Sequence, residues 1–127
     1  MKQHQNNPFD ALRKTYHEPS RMAIMSALCS SERGLCFAEL KEQCHLTDGN
    51  LSRHLKALSH ADAVRLRKVT SRSKPRTMVE ITDRGRESFI EYLRALEWVL
   101  HTAAESLAPD EKLANMTSIW DSLVEIE

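Results

Sequence analysis

Glycine and proline are scarce in this chain, three and four among 127 residues. Little material is left for tight turns, which points to a helix-rich fold. Nowhere do 18 apolar residues run together, so no membrane-spanning helix is expected. Met1 to Asn7 is polar and no apolar run follows it, so no signal peptide is expected and the cytoplasm is the expected location. Cysteine is confined to Cys29, Cys36 and Cys44, an odd number without a CxxC pair. That speaks against a disulfide framework, and no spacing matches a closed zinc site. The thiols read as small buried hydrophobes, and neither a metal nor a cofactor is expected. A Gly-rich phosphate loop, an HExxH helix and a nucleophile elbow are all missing, so no enzyme is expected. There is no internal repeat and no low-complexity tract.

Net charge is also lacking, at zero for the whole chain, and that zero conceals a segregation. Residues 1–52 carry six basic and six acidic side chains. Residues 53–86 carry ten Lys/Arg against three Asp/Glu, an excess of seven positive charges. Residues 87–127 carry two against nine, an excess of seven negative charges. A polyanion responds to the local field and not to the overall pI, so the basic segment is where a nucleic acid would meet the protein.

The length suits one compact domain. Pro8 to Tyr16 reads as a short first helix. A second begins near Pro19, a residue suited to the first helical position because its missing N–H would be unpaired there. Met22, Ala23, Met25, Ala27 and Leu28 are its apolar positions, and it should stop within Ser30 to Gly34. Leu35 to Phe37 reads as a brief strand. Phe37, Leu40 and Cys44 mark one face of a third helix. Thr47 is a good N-cap for a fourth, about Asp48 to Ser59, with Leu51, Leu55 and Leu58 on its apolar face. Two helices joined this tightly, each with one apolar stripe, form a helix-turn-helix.

After Ala61-Asp62 the period changes to two. Val64 and Leu66 alternate with Arg65 and Arg67, and Thr77, Val79 and Ile81 alternate with Met78 and Glu80. Between them runs a polar, basic stretch broken by Pro75, so the segment reads as a β-hairpin with a basic tip. Thr82 caps a long helix from Asp83 to about Leu107, whose Phe89, Leu93, Leu96, Leu100, Ala103 and Leu107 keep close to heptad spacing. Ala108 to Glu111 looks like a fresh helix start, followed by Leu113, Met116, Trp120 and Leu123 along one face. The expected fold is therefore mainly α with a small β-hairpin.

With the leucines of the fourth helix turned inward, Gly49, Arg53 and Lys56 fall on the opposite face, flanked by Asn50, Ser52 and Ala57. Small residues there allow close approach to the major groove, and Arg or Asn can read guanine or adenine edges bidentately. Gly49 costs roughly 1 kcal/mol of helix propensity and would let backbone amides approach a phosphate. Arg67, Lys68, Arg72, Lys74 and Arg76 would project from the hairpin toward the DNA backbone or minor groove. His45, His54 and His60 read as surface or DNA-facing polar residues. Trp98 and Trp120 read as core or interface packing.

The run Leu46-Thr47-Asp48-Gly49-Asn50-Leu51-Ser52-Arg53-His54-Leu55-Lys56-Ala57-Leu58 resembles the recognition-helix signature of bacterial and archaeal winged-helix regulators related to the MarR and ArsR groups. His17 to Arg21, Lys74 to Thr77 and Ile81 to Arg86 resemble their first-helix junction, wing and following helix, so the resemblance spans roughly residues 9–97. It implies a dimeric DNA-binding regulator with Asn50, Ser52, Arg53 and Lys56 as groove contacts. Such proteins commonly have a glycine before the strand; here Asp62 would have to take that left-handed turn.

The function expected is thus a homodimeric regulator of transcription that binds double-stranded DNA. Thr47, Gly49, Asn50, Ser52, Arg53, Lys56, Arg67, Arg72, Lys74 and Arg76 are the expected contacts. Residues 1–86 would form the winged helix-turn-helix. Residues 87–127 would add dimerisation helices to the same compact domain, with Phe89, Leu93, Leu96, Leu100, Leu107 and Trp120 in the interface. An operator with inverted-repeat symmetry follows from such a dimer. The alternative from another class is a winged-helix adaptor that binds a protein.

Overall fold

The computed structural model describes residues 15–71 and 74–107. It consists of α1 (Pro19–Cys29), β1 (Leu35–Cys36), α2 (Phe37–Cys44), α3 (Asp48–His60), β2 (Val64–Ser71), β3 (Lys74–Ile81) and α4 (Asp83–Leu107). The three strands form one antiparallel sheet in the order β1-β3-β2. The fold is thus mainly helical with a small sheet, as the periodicities imply. The helices expected at Pro8 to Tyr16 and after Leu107 lie outside the described residues, save Thr15 and Tyr16, which form a turn.

Local chemistry sets most boundaries. Pro19 opens α1, and the Glu18 carboxylate accepts from the Arg21 N–H at 2.9 Å as its N-cap. The Glu39 carboxylate accepts from the Cys36 N–H at 2.9 Å at the start of α2. Phe37 therefore opens this helix and does not extend the strand. At its far end His45 takes the left-handed conformation (φ 56°), so the Leu46 N–H reaches the Lys41 carbonyl at 3.1 Å. The Thr47 hydroxyl caps α3 by accepting from the Asn50 N–H at 3.1 Å. That helix runs one residue beyond expectation, to His60.

Asp62 makes the left-handed turn (φ 62°) into β2. Thr82 fastens the other side of this corner. Its hydroxyl donates to the Asp62 carbonyl at 2.7 Å and accepts from the Gly85 N–H at 2.8 Å. Gly85 lies so close to the backbone of Ala63 that a side chain there would overlap it.

Ile24, Met25, Leu28, Leu40, Leu51, Leu55, Leu58 and Val79 are buried where the helices meet the sheet. Full burial of one such side chain contributes about 1.5–3 kcal/mol relative to exposure. An aromatic cluster closes the core on the α4 side. Tyr16 meets Phe89 edge-on at 5.2 Å and lies 5.9 Å from Tyr92, and its hydroxyl is 2.6 Å from that of Ser88.

Two sequence expectations are corrected by this packing. Phe89 is 1% exposed, held between Tyr16 and Tyr92 inside its own chain, so it is a core residue and is not available to a dimer interface. His54 is not on the surface. It stands three residues after Leu51, on the same buried face as Leu55 and Leu58, and is 3% exposed.

Candidate nucleic-acid interface

The second helix of the helix-turn-helix divides sharply into two faces. Leu51, His54, Leu55 and Leu58 are buried, whereas Gly49, Asn50, Ser52, Arg53 and Lys56 are exposed together along the opposite side. Thr47 is exposed at its cap with its hydroxyl committed to the Asn50 N–H. Arg53 Nη2 donates to the Asn50 side-chain oxygen at 3.3 Å, so two groups suited to base edges are already aligned one turn apart. Among the described residues no atom lies where a Cβ at position 49 would find contact, so none of them requires glycine there.

Beside the buried leucines that seat the helix in the core lies a polar clamp. Arg21 Nε donates to His54 Nδ1 at 3.2 Å, and an Nη1 hydrogen of the same guanidinium reaches the Thr15 carbonyl at 3.3 Å. Burial foremost, with Arg53 and Arg21 adding to it, holds the His54 imidazole below its ordinary range against the opposing pull of Glu18. At the helix entrance Lys41 pairs with Asp48 at 2.9 Å across the turn.

The sheet presents its cations on two sides. The register pairs Arg65 with Glu80, Leu66 with Val79, Arg67 with Met78, Lys68 with Thr77 and Val69 with Arg76. Because successive residues of a strand alternate in direction, Val64, Leu66 and Lys68 share the side of the core and α3. Arg65 and Arg67 lie on the outer side with Glu80, and there Arg67 Nη2 donates to Glu80 Oε2 at 2.5 Å. Lys74 and Arg76 are exposed toward the tip, and Arg72 lies outside the described residues. Between α3 and β2 a cleft of about 320 Å³ is lined by Phe37, Leu55 and Leu66 below and by Ser52, Lys56 and His60 at its rim.

The expected interface residues separate on α4. Leu93, Leu100 and Leu107 are exposed at seven-residue intervals, with Ile90 beside them, whereas Leu96 is half-buried against the core. Trp120 lies outside the described residues. Burial pushes the Cys29 and Cys44 thiols up, which suits inert packing groups. Among the described residues no three His, Cys, Asp or Glu side chains gather as a metal site, and no helix is long and apolar enough to cross a membrane.

The family model for the winged helix DNA-binding domain matches residues 20–100. The chain belongs to that family. In winged-helix terms α3 stands in the place of the recognition helix and β2–β3 in that of the wing. The chain is 36% identical over 81 residues to the uncharacterized protein MJ0432 of Methanocaldococcus jannaschii, a match covering 63% of this chain and 86% of that protein. Its structure is similar to that of a transcriptional regulator homologue from Pyrococcus horikoshii OT3, with a TM-score of 0.69 and 32% identity over 76% of this chain and 96% of the other. The M. tuberculosis transcriptional regulator MOSR, solved in complex with DNA, shares the fold at a TM-score of 0.60 and 15% identity, over 94% of this chain and 85% of that one.

Two features of the interface escaped the sequence reading. Glu80 was legible as one residue of an alternating strand, and its partnership with Arg67 follows only once the hairpin register is fixed. The Arg21–His54 contact joins residues 33 positions apart and left no local signal.

Proposed function

We propose that this chain is a cytoplasmic, homodimeric transcription regulator that acts by binding duplex DNA and not by catalysis. α3 enters the major groove, with Asn50 and Arg53 reading base edges and Ser52 and Lys56 beside them. The Gly49 region approaches a phosphate, near the positive end of the helix dipole that Thr47 caps. Lys74 and Arg76, together with Arg72, steady the wing on the backbone or minor groove. Two copies joined along Leu93, Leu100 and Leu107 of α4 present their recognition helices about 34–36 Å apart, one turn of DNA, and so select an inverted-repeat operator.

The observation that carries this reading is the exposed polar face of α3, where Arg53 and Asn50 stand hydrogen-bonded to each other with no bulky apolar group beside them. Fluorescence anisotropy with a labelled random-sequence duplex, titrated with salt, tests it. Submicromolar binding at low salt, a steep salt dependence and a clear loss in Arg53→Ala/Lys56→Ala are expected. Failure of the wild type to bind at low salt would favour the protein adaptor.

A further inference from the structure

Glu80 is the one acidic residue of the hairpin, and its placement is built. Its stem passes over Gly34, where an added Cβ would come within 2.9 Å of Glu80 Cγ. The left-handed conformation of Gly34 (φ 87°) brings the two together. From that seat the carboxylate meets two arginines of the neighbouring strand. Arg67 Nη2 lies 2.5 Å from Oε2, and Arg65 Nη1 lies 3.8 Å from Oε1. The Glu80 side chain is 26% exposed, whereas those of Arg65 and Arg67 are 64% and 47% exposed. A firmly placed anion thus holds two outward cations at the root of the wing.

We propose that Glu80 attenuates the wing, determining which of its cations are open to DNA. Resting on the duplex-binding reading above, this inference alters the role expected of Arg67. A phosphate that recruits Arg67 meets a cation already partly neutralised by Glu80 and must compete with a charge-assisted hydrogen bond made inside the protein. Non-specific affinity comes almost wholly from phosphate neutralisation. With Arg65 and Arg67 partly neutralised, positive charge is concentrated toward Lys74 and Arg76, and adventitious attachment to duplex is held down. Affinity then depends more on the recognition helix, which reads sequence. An exposed ion pair of this kind contributes little to folding, so Glu80→Gln isolates the electrostatic effect.

The experiment measures anisotropy of a labelled random-sequence duplex against salt for wild type, Glu80→Gln, Arg67→Gln and the double variant, with circular dichroism to verify the fold. Each freed cation that finds a phosphate steepens the log–log salt slope by about 0.9. Glu80→Gln is therefore expected to steepen the slope by about 1–2 and to gain roughly tenfold in affinity at low salt. The Glu80→Gln/Arg67→Gln double variant removes the pair without changing the net charge, so it should bind close to wild type and lose a large part of the gain seen in Glu80→Gln. Binding by the wild type with the same affinity and slope in Glu80→Gln overturns the proposal and leaves the duplex reading intact. A marked loss in the double variant relative to wild type also overturns it, because Arg67 would already be on a phosphate. Absence of binding by both wild type and Glu80→Gln overturns the duplex reading and this proposal with it.

Discussion

Arg21 Nε donates to His54 Nδ1 at 3.2 Å, so the imidazole under the recognition helix serves as an acceptor at the atom where a second proton would bind. Protonation would set two cations against each other in a buried place, and the Glu18 oxygen 3.9 Å away is too distant to compensate fully. Burial of the ring foremost, with Arg53 and Arg21 adding to it against the pull of Glu18, holds the folded-state pKa below the ordinary value of about 6.5. The unfolded chain takes up the proton first. Stability is therefore complete above about pH 6.5 and declines as pH falls toward the folded-state value. Urea melts between pH 7.5 and 5 should show a steeper acid loss for wild type than for His54→Gln, whose amide oxygen can still accept from Arg21. Parallel pH profiles would refute this account.

Two glycines make opposite predictions. Gly49 has open space around it, so Gly49→Ala should stabilise the protein by about 0.5–1 kcal/mol and raise Tm by a few degrees. It should also weaken duplex binding, because the methyl group would intrude where the proposed function brings a phosphate. Gly85→Ala drives a methyl group into the Ala63 backbone and should cost about 1–3 kcal/mol. Increased stability with unchanged DNA affinity in Gly49→Ala would mean that no ligand contact explains this glycine.

Leu93 and Leu100 are 42% and 39% exposed. Substitution of both by Asp should therefore disturb the single-chain fold little, typically within about 0.5 kcal/mol for each surface site. Light scattering should report a change from dimer to monomer, with affinity for an inverted repeat falling in parallel. A dimeric mass retained by the double variant would remove these leucines from the interface.

Lys74 and Arg53 are expected to fail differently. Lys74→Ala, which removes a proposed phosphate contact, should weaken binding to all sequences alike and reduce the salt slope by about 1. Arg53→Ala should cost about 1–3 kcal/mol on a selected operator and relax preference at one position. Selection of operators from a random library, repeated with each variant, distinguishes the two. Equal loss of sequence preference in both would contradict the division of labour between helix and wing.

The elements of this fold were legible because their signals are local. Thr47 and Thr82 mark helix starts by what their own hydroxyls can reach, and the alternation after Asp62 defines two strands within eighteen residues. The polar face of α3 was legible for the same reason. His54 was misread because residue type suggested the surface, whereas its position three after Leu51 dictated burial; a partner from α1 makes that burial tolerable. Phe89 was misread because the apolar stripe of α4 is broad. A sequence pattern cannot reveal which flank of such a stripe meets its own core and which is left outside. Here the aromatic rings of Tyr16 and Tyr92 decide it.

The two-residue strand β1 pairs only with Val79 and Met78, whereas β2 follows β3 out to the Ser71–Lys74 pair. Beyond Met78 the hairpin is a cantilever, clamped on both edges at its root and on one along its free length. The exposed cations of that free length, Lys68, Lys74 and Arg76, ride where a small twist at the root becomes the largest displacement at the end. Arg65 and Arg67, tied to Glu80, sit nearer the clamp. Under the proposed function, the wing would thus follow local variation in groove width with its outermost charges while α3 keeps one fixed angle of entry.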